Sequence, residues 1–248
     1  MIDLSSYPNV FNSYNNKKKN KGNPWELFFN QPFGFKIEKV KKKAKHVHYF
    51  ECTFPFKMIN HRTFYQHKQL ILFWHDIFQK YIPIKNEIIK QAHNFQKQFF
   101  KLSKNVLGIL MRGTDYISRK PKFHPIPPKI SDVFKDIKKM EKIFRYDYLF
   151  IATEDNIIRN KFIKEFGNKM KYIQINKIYE YNYQEKKFLS LNKNIIGNLY
   201  YIKLYLINII LLSKCIDVIT ARTNGSIGLF IITEGFRNVK IYFLGEYK

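Results

Sequence analysis

The sequence predicts an α/β fold: a doubly wound parallel sheet over residues 105–248, preceded by a mostly helical part over residues 1–104. Three observations carry this. After residue 105, short apolar runs alternate five times with stretches of helical periodicity. The runs are apolar throughout, as strands covered on both faces require. Before residue 105 the apolar spacing is mostly that of helices.

The elements follow in order. Residues 1–24, rich in Asn, Ser, Tyr and Lys, read as an irregular arm. The aromatic-dense stretch from Asn23 to Pro32 reads as a packed turn or short helix. Between 57 and 101 the spacing predicts a helix that buries Leu70, Leu72, Phe73, Ile77, Phe78 and Tyr81. Pro83 interrupts it, and a second helix is expected over about 85–99. Val106 to Met111 is the first strand. A proline-rich loop follows, and then a helix capped by Ser131, with Val133, Phe134, Ile137, Met140, Ile143 and Phe144 on one face. Tyr148 to Ala152 is the second strand. Asp155 caps the next helix, which carries Ile157, Ile158, Phe162, Ile163 and Phe166 and closes at Gly167. Tyr172 to Ile175 is the third strand. A Tyr- and Lys-rich loop leads to a long apolar helix over about 198–213. Asp217 to Thr220 is the fourth strand, Gly225-Ser226 opens a helix to about 234, and Val239 to Phe243 is the fifth. With right-handed crossovers this order gives a Rossmann-like domain.

Composition narrows the class. A chain of 248 residues, 45% hydrophobic and 17% aromatic, is neither disordered nor fibrous. No apolar run reaches the roughly 18 residues that span a bilayer, since Lys203 and Asn208 break the longest. The first ten residues lack a basic and an apolar region, so a secretory signal is not expected. Cys52 and Cys215 are too few for a disulfide framework or a four-thiolate zinc site, and a reducing, cytoplasmic setting is expected. The formal charge of +25 suggests an anionic partner. However, lysines number 37 and arginines only seven, and Asn, Ile, Phe and Tyr are abundant, as AT-rich coding favours. Drift onto a solvated surface explains much of this charge. The clusters at 17–21 and 39–48 remain candidate contacts for a pyrophosphate, an acidic membrane face or RNA. RNA is the least favoured, because arginine, the usual fork for phosphate and guanine, is scarce.

Where arginine does occur, its fork geometry gains weight. In open parallel sheets the ligand lies beyond the carboxyl ends of the strands. Three polar segments stand there: Arg112-Gly113-Thr114-Asp115-Tyr116, Thr153-Glu154-Asp155, and Ala221-Arg222-Thr223-Asn224-Gly225-Ser226. Arg112 and Arg222 could flank a diphosphate, with Gly225 and Ser226 adding free amides at a helix start. Asp115, Glu154 and Asp155 offer acceptors for ribose, guanine or an attacking hydroxyl's proton. Blander readings stay open: Arg112 and Asp115 as a salt bridge, Asp155 as a helix cap, Asn224-Gly225 as an ordinary turn. P-loop and dinucleotide glycine motifs are missing, as is a G-x-S-x-G elbow. His46 and His48 alternate as on a strand and lack further metal ligands nearby. His124, taken alone, is a packed loop histidine.

Together the loops resemble a known superfamily. Arg112-Gly113-Thr114-Asp115, with Phe123-His124-Pro125-Ile126 at fixed spacing behind, is similar to the first motif of the α-1,6-, nodulation and O-fucosyltransferases. Ile151-Ala152-Thr153-Glu154-Asp155 resembles a strand end of that superfamily. Leu211 to Cys215 followed by Thr223-Asn224-Gly225-Ser226 resembles its last motif, and Asn23-Pro24-Trp25-Glu26 with Gln31-Pro32 an amino-terminal segment of bacterial relatives. The resemblance implies a GT-B-like glycosyltransferase whose carboxyl-terminal lobe binds the nucleotide and whose amino-terminal lobe serves the acceptor. It implies GDP-fucose as donor, a glycan acceptor, inversion at the sugar carbon, and no metal or other cofactor. It implies polysaccharide synthesis in the bacterial cytoplasm, and a peripheral attachment to the anionic inner membrane face through the basic cluster 39–48 is compatible with it. It makes Arg112 the residue that stabilises the leaving diphosphate and Ser226 a nucleotide contact. Donor-binding candidates are thus Arg112, Gly113, His124, Thr153, Asp155, Arg222, Thr223, Asn224, Gly225 and Ser226. Asp115 is the first candidate base and Glu154 the second. The chain departs from the pattern at Leu110, where the family has histidine, and at Gly113, where it has a second arginine. Lys120 stands in place of a glutamate and Asn208 in place of an aspartate. About 24 residues precede Trp25, where the family has a strand and helix, so a truncated or a reduced amino-terminal lobe is expected, and a non-catalytic nucleotide-sugar binder is the alternative function.

Overall fold

The computed structural model describes residues 23–46, 63–101, 103–174, 183 and 199–248. Two 3-10 turns, Pro24–Leu27 and Pro32–Gly34, precede helices α1 (Ile37–Lys43), α2 (Lys68–Tyr81) and α3 (Asn86–Phe100). Then come β1 (Val106–Leu110), α4 (Asp115–Arg119), α5 (Ile130–Phe144), β2 (Tyr148–Ala152), α6 (Asn156–Phe166) and β3 (Met170–Lys171). Further along the chain follow α7 (Leu199–Leu212), β4 (Asp217–Ala221), α8 (Asn224–Ile232) and β5 (Asn238–Tyr242).

The five strands form one parallel sheet in the order β3-β2-β1-β4-β5. Side chains alternate across it. Val106, Phe150, Ala152 and Val218 face one side with α7 and α8, while Leu107, Ile109, Leu149, Ile151 and Ile219 face the other with α5 and α6. Gly108 lets α7 come close: a Cβ there would stand 3.0 Å from Leu212 and 3.1 Å from the Cys215 sulfur. Helices α2 and α3 join this same first core, where Phe64, Ile88, Ala92 and Phe100 are buried with Leu204, Ile207 and Leu229. The Phe100 ring meets Phe150 of β2 edge-on. The part before residue 105 therefore shares its apolar core with the sheet.

At the amino end of β4 the buried carboxylate of Asp217 is fully used. It accepts from Arg237 Nε at 3.1 Å and Nη2 at 2.6 Å, from the Asn238 amide at 2.9 Å, and from the Tyr146 hydroxyl. Burial pushes its pKa up, but the bonds from Arg237 and Tyr146 prevail and hold it below the usual carboxylate range.

Several expectations are corrected. The third strand lies at Met170–Lys171 rather than from Tyr172 onward, because β3 is an edge strand paired with β2 at only two positions. Ser131 sits inside α5, whose cap is Lys129, with no side-chain bond to the helix end. Ile143 is 71% exposed and Ile157 51% exposed, so the buried stripes of α5 and α6 narrow to Val133 and Ile137, and to Ile158 and Phe162. In α2, Leu72 and Phe73 face solvent, and Leu70, Ile71 and Trp74 do the packing. Residues 39–43 are helical. The arm at 1–22, Cys52, His48 and most of the loop at 176–197 lie outside the described residues.

Candidate functional site

The carboxyl ends of β1 and β4 lie side by side where the strand order reverses, with helices leaving to opposite faces. This is the crevice in which open α/β sheets bind ligands. Leu110 is aligned with Thr220, and Arg112 and Arg222 each follow two residues later, so both leave the sheet at one level.

Arg112 is held from three sides. Its Nη2 donates to Asp115 Oδ1 at 3.1 Å, its Nε lies 3.3 Å from Glu154 Oε1, and its guanidinium stands 4.7 Å from the centre of the Tyr116 ring. Burial opposes the charged form, but the carboxylates of Glu154 and Asp115 outweigh it and raise the pKa above the ordinary arginine value. The group is a permanent cation. The buried Nε makes no hydrogen bond among the described residues.

The turn between Arg112 and α4 is tightly determined. A Cβ at Gly113 would stand 2.3 Å from Asp155 Oδ2 and 2.7 Å from Ile158. Thr114 has φ +48°, a conformation disfavoured for a β-branched residue. Its amide donates to Asp155 Oδ2 at 2.9 Å, and its hydroxyl lies 3.0 Å from Asp115 Oδ1 and 3.3 Å from Glu154 Oε1. These bonds fix the strained residue in place. Glu154 Oε1 also accepts from the Gly113 amide at 3.0 Å.

In the second loop Asp155 is the helix cap. Its Oδ1 accepts from the Ile157 and Ile158 amides at 2.9 and 3.1 Å, and its Oδ2 also accepts from the Tyr183 hydroxyl. Thr153 Oγ1 accepts the Asp155 amide at 3.2 Å.

In the third loop Arg222 donates to Glu246 through Nη2. The tail after β5 delivers Glu246: it pairs antiparallel with the 123–126 segment, through Phe123 N–H to Tyr247 O at 2.9 Å and Tyr247 N–H to His124 O at 3.0 Å. Thr223 and Ser226 form a capping box that opens α8. The Ser226 hydroxyl is buried and donates to the Ala221 carbonyl, while Asn224 is exposed. Tyr65 donates its hydroxyl to Thr223 O at 3.0 Å. A Cβ at Gly225 would stand 2.5 Å from the Tyr205 hydroxyl.

The structure thus gathers the predicted residues into two neighbouring groups. Arg112, Gly113, Asp115, Thr153, Glu154 and Asp155 form the first. His124 joins it through the edge contact of its ring with Tyr116, at 5.2 Å. Arg222, Thr223, Asn224, Gly225 and Ser226 form the second. Asp155, Thr223 and Ser226 spend their side chains on helix ends. Asn208 bonds back to Leu204 O at 3.0 Å within α7, and Lys120 is an exposed residue closing α4.

Two site residues, Glu246 and Tyr205, escape the sequence reading, and a third, Tyr116, is named there without a role. Glu246 lies far along the chain from Arg222, and only the tail pairing brings them together. Tyr116 ends the first polar segment, and the short helix α4 brings its ring against the Arg112 guanidinium. Tyr205 sits among aliphatics in α7, one turn before Asn208. It bridges the two groups: its hydroxyl abuts Gly225, and the charges of Arg112 and Glu154 act on its ionisation. Desolvation raises its pKa against the pull of Arg112, so the hydroxyl stays protonated at neutral pH. It makes no hydrogen bond among the described residues, and the side chain is 46% exposed.

A separate hollow of about 280 Å³ lies at the amino side of β4 and β5, between Phe78, Ile89, His93, Ile210, Lys214 and Glu234. It is lined mainly by apolar helix faces and touches none of the three loops.

No family model and no curated protein matches the sequence. Among solved structures the chain is similar to the fucosyltransferase NodZ from Bradyrhizobium, at 17% identity and TM-score 0.39 over 58% of this chain and 40% of that one. It is similar to NodZ alpha-1,6-fucosyltransferase co-crystallized with GDP, at 14% identity and TM-score 0.46 over 84% and 76%. It is also similar to POFUT1 in complex with GDP-fucose, at 9% identity and TM-score 0.43 over 72% and 51%.

Proposed function

We propose that this chain is a glycosyltransferase that binds a nucleoside diphosphate sugar, GDP-fucose, at the β1/β4 switch point and transfers the sugar with inversion to a glycan hydroxyl. The observation that carries the reading is the placement of Arg112 and Arg222 at one level on adjacent strands, beside the amide-rich start of α8. The order and spacing of the three loop motifs support the donor class.

The chemistry follows from those side chains. The acceptor oxygen attacks the sugar carbon as the bond from that carbon to the β-phosphate oxygen breaks. Negative charge grows on the diphosphate, and a fork already fixed by two carboxylates stabilises that charge without reorganising. Asp115 or Glu154 takes the acceptor proton. Both donor binding and transfer proceed without metal, because the guanidinium groups neutralise the phosphates.

One observation favours a second reading, a binder of nucleotide sugars that does not turn them over. Asp115 and Glu154 both point at Arg112, and each shares the Thr114 hydroxyl. Incubation of the chain with GDP-fucose and a panel of glycans in the presence of a chelator separates the readings. Transfer, or slow release of free fucose, supports the enzyme. Binding with no product after long incubation supports the binder, and lack of binding refutes both.

A further inference from the structure

The surface around α1 stands apart from the switch point. The Pro32–Gly34 turn presents Phe33, 72% exposed, and Phe35, 61% exposed. Single exposed apolar side chains are ordinary on a protein surface, but here two of the most exposed lie within three residues of each other. The base beneath them is firm. Gln31 and Pro32 are buried, Gln31 Nε2 donates to Glu26 at 3.0 Å, Trp25 Nε1 donates to Asn30 O at 3.2 Å, and the Phe33 ring leans edge-on against Tyr81. The φ of +63° at Phe33 is a further sign that the turn is held in a disfavoured conformation.

The charge beside the two rings has one sign. Helix α1 is pinned by Ile37, which is buried, and by half-buried Val40. A helical period then places Lys39, Lys42 and Lys43 on the outward face. Lys36 and Lys45 flank the helix and are also exposed. From 33 to 46 there are six lysines against one acid, Glu38.

We propose that this surface docks the protein on an anionic lipid bilayer, with Phe33 and Phe35 entering the headgroup boundary and the lysines facing acidic lipids. The pairing of exposed aromatics with a lysine-rich face is what an interfacial anchor needs: apolar area for the hydrocarbon edge and diffuse positive charge for the headgroups. Lysine suits this role, since a fluid headgroup layer offers no fixed fork to match. Sequence-reading of nucleic acid would call for arginine, and the segment from 33 to 46 has none. The proposal is independent of the sugar-transfer reading.

Vesicle co-sedimentation tests it. The full chain is mixed with vesicles of phosphatidylcholine alone, or of equal phosphatidylcholine and phosphatidylglycerol, with transfer RNA as a competitor in a parallel arm. Partition into the mixed vesicles should exceed that into phosphatidylcholine at least about tenfold. Replacing Lys39, Lys42 and Lys43 by Gln should weaken it about fivefold for each lysine. Phe33→Asn with Phe35→Ser should weaken it about tenfold at unchanged charge. All replaced side chains are exposed, and unchanged melting temperatures show that the fold is kept. Equal partition into both vesicle types overturns the proposal. So does an unchanged partition when both phenylalanines are replaced. Retention on RNA without vesicle binding gives the surface to nucleic acid and likewise overturns it.

Discussion

At Gly113 a hydrogen stands where any other side chain would strike the Asp155 carboxylate that caps α6. The space beside the Gly113 α-carbon belongs to the cap. Gly113→Ala should therefore destabilise the protein by about 2 kcal/mol, through overpacking and a displaced cap. Urea unfolding measures it, and a change below about 0.5 kcal/mol would show that the loop yields. Tyr205 carries a second prediction at this scale. If its hydroxyl reaches a bound diphosphate beside Gly225, Tyr205→Phe should lower GDP affinity about fivefold with no loss of stability. An unchanged Kd would remove Tyr205 from the site. The residue scale was legible where chemistry is local. Asp155 as cap follows from its place before an apolar helix. The Arg112–Asp115 pair was one of the readings the spacing allowed, and the fold realises it with Glu154 added. Glu246 was illegible, because its partner is 24 residues away and meets it only after the tail folds back.

Elements were legible in proportion to their burial. β1, β2 and β4 are short continuous apolar runs, and their predicted bounds agree with the structure to within a residue at each end. β3 was misplaced because an edge strand with two pairings leaves little pattern. The faces of α2, α5 and α6 were drawn too wide, since each helix is covered on one side only and its flanking apolar residues reach solvent. The junction of β4 and β5 rests on a feature that hydrophobic patterns do not show, the buried Asp217 between Tyr146 and Arg237. Its pKa is depressed in the folded chain, so the stability it contributes is complete above the ordinary aspartate value of about 3.9. That contribution is lost as pH falls through the lower folded value. Asp217→Asn should be less stable than the parent at neutral pH, by about 2 kcal/mol. The gap should narrow below about pH 4. Denaturation followed from neutral to acid pH checks this, and a gap that stays constant would show that the carboxylate is not held ionised by the fold.

At the scale of the whole molecule, one sheet and its switch point organise the rest. The order β3-β2-β1-β4-β5 sends α7 and α8 to one face and α5 and α6 to the other, and α2 and α3 thicken the first face. Two arginine-bearing loops are thereby left side by side at the strand ends. The alternation of elements made this arrangement readable from the sequence. The contribution of α2 and α3 to the shared core was not, because helical spacing does not say which neighbour covers a face. The most direct test of the account is calorimetric titration of GDP, without metal, into the parent chain and into Arg112→Lys and Arg222→Lys. Each variant keeps the charge and removes the fork. The account predicts saturable binding to the parent and a loss of about tenfold or more in both variants, with melting temperatures largely kept. No binding to the parent, or equal binding by all three proteins, would contradict it.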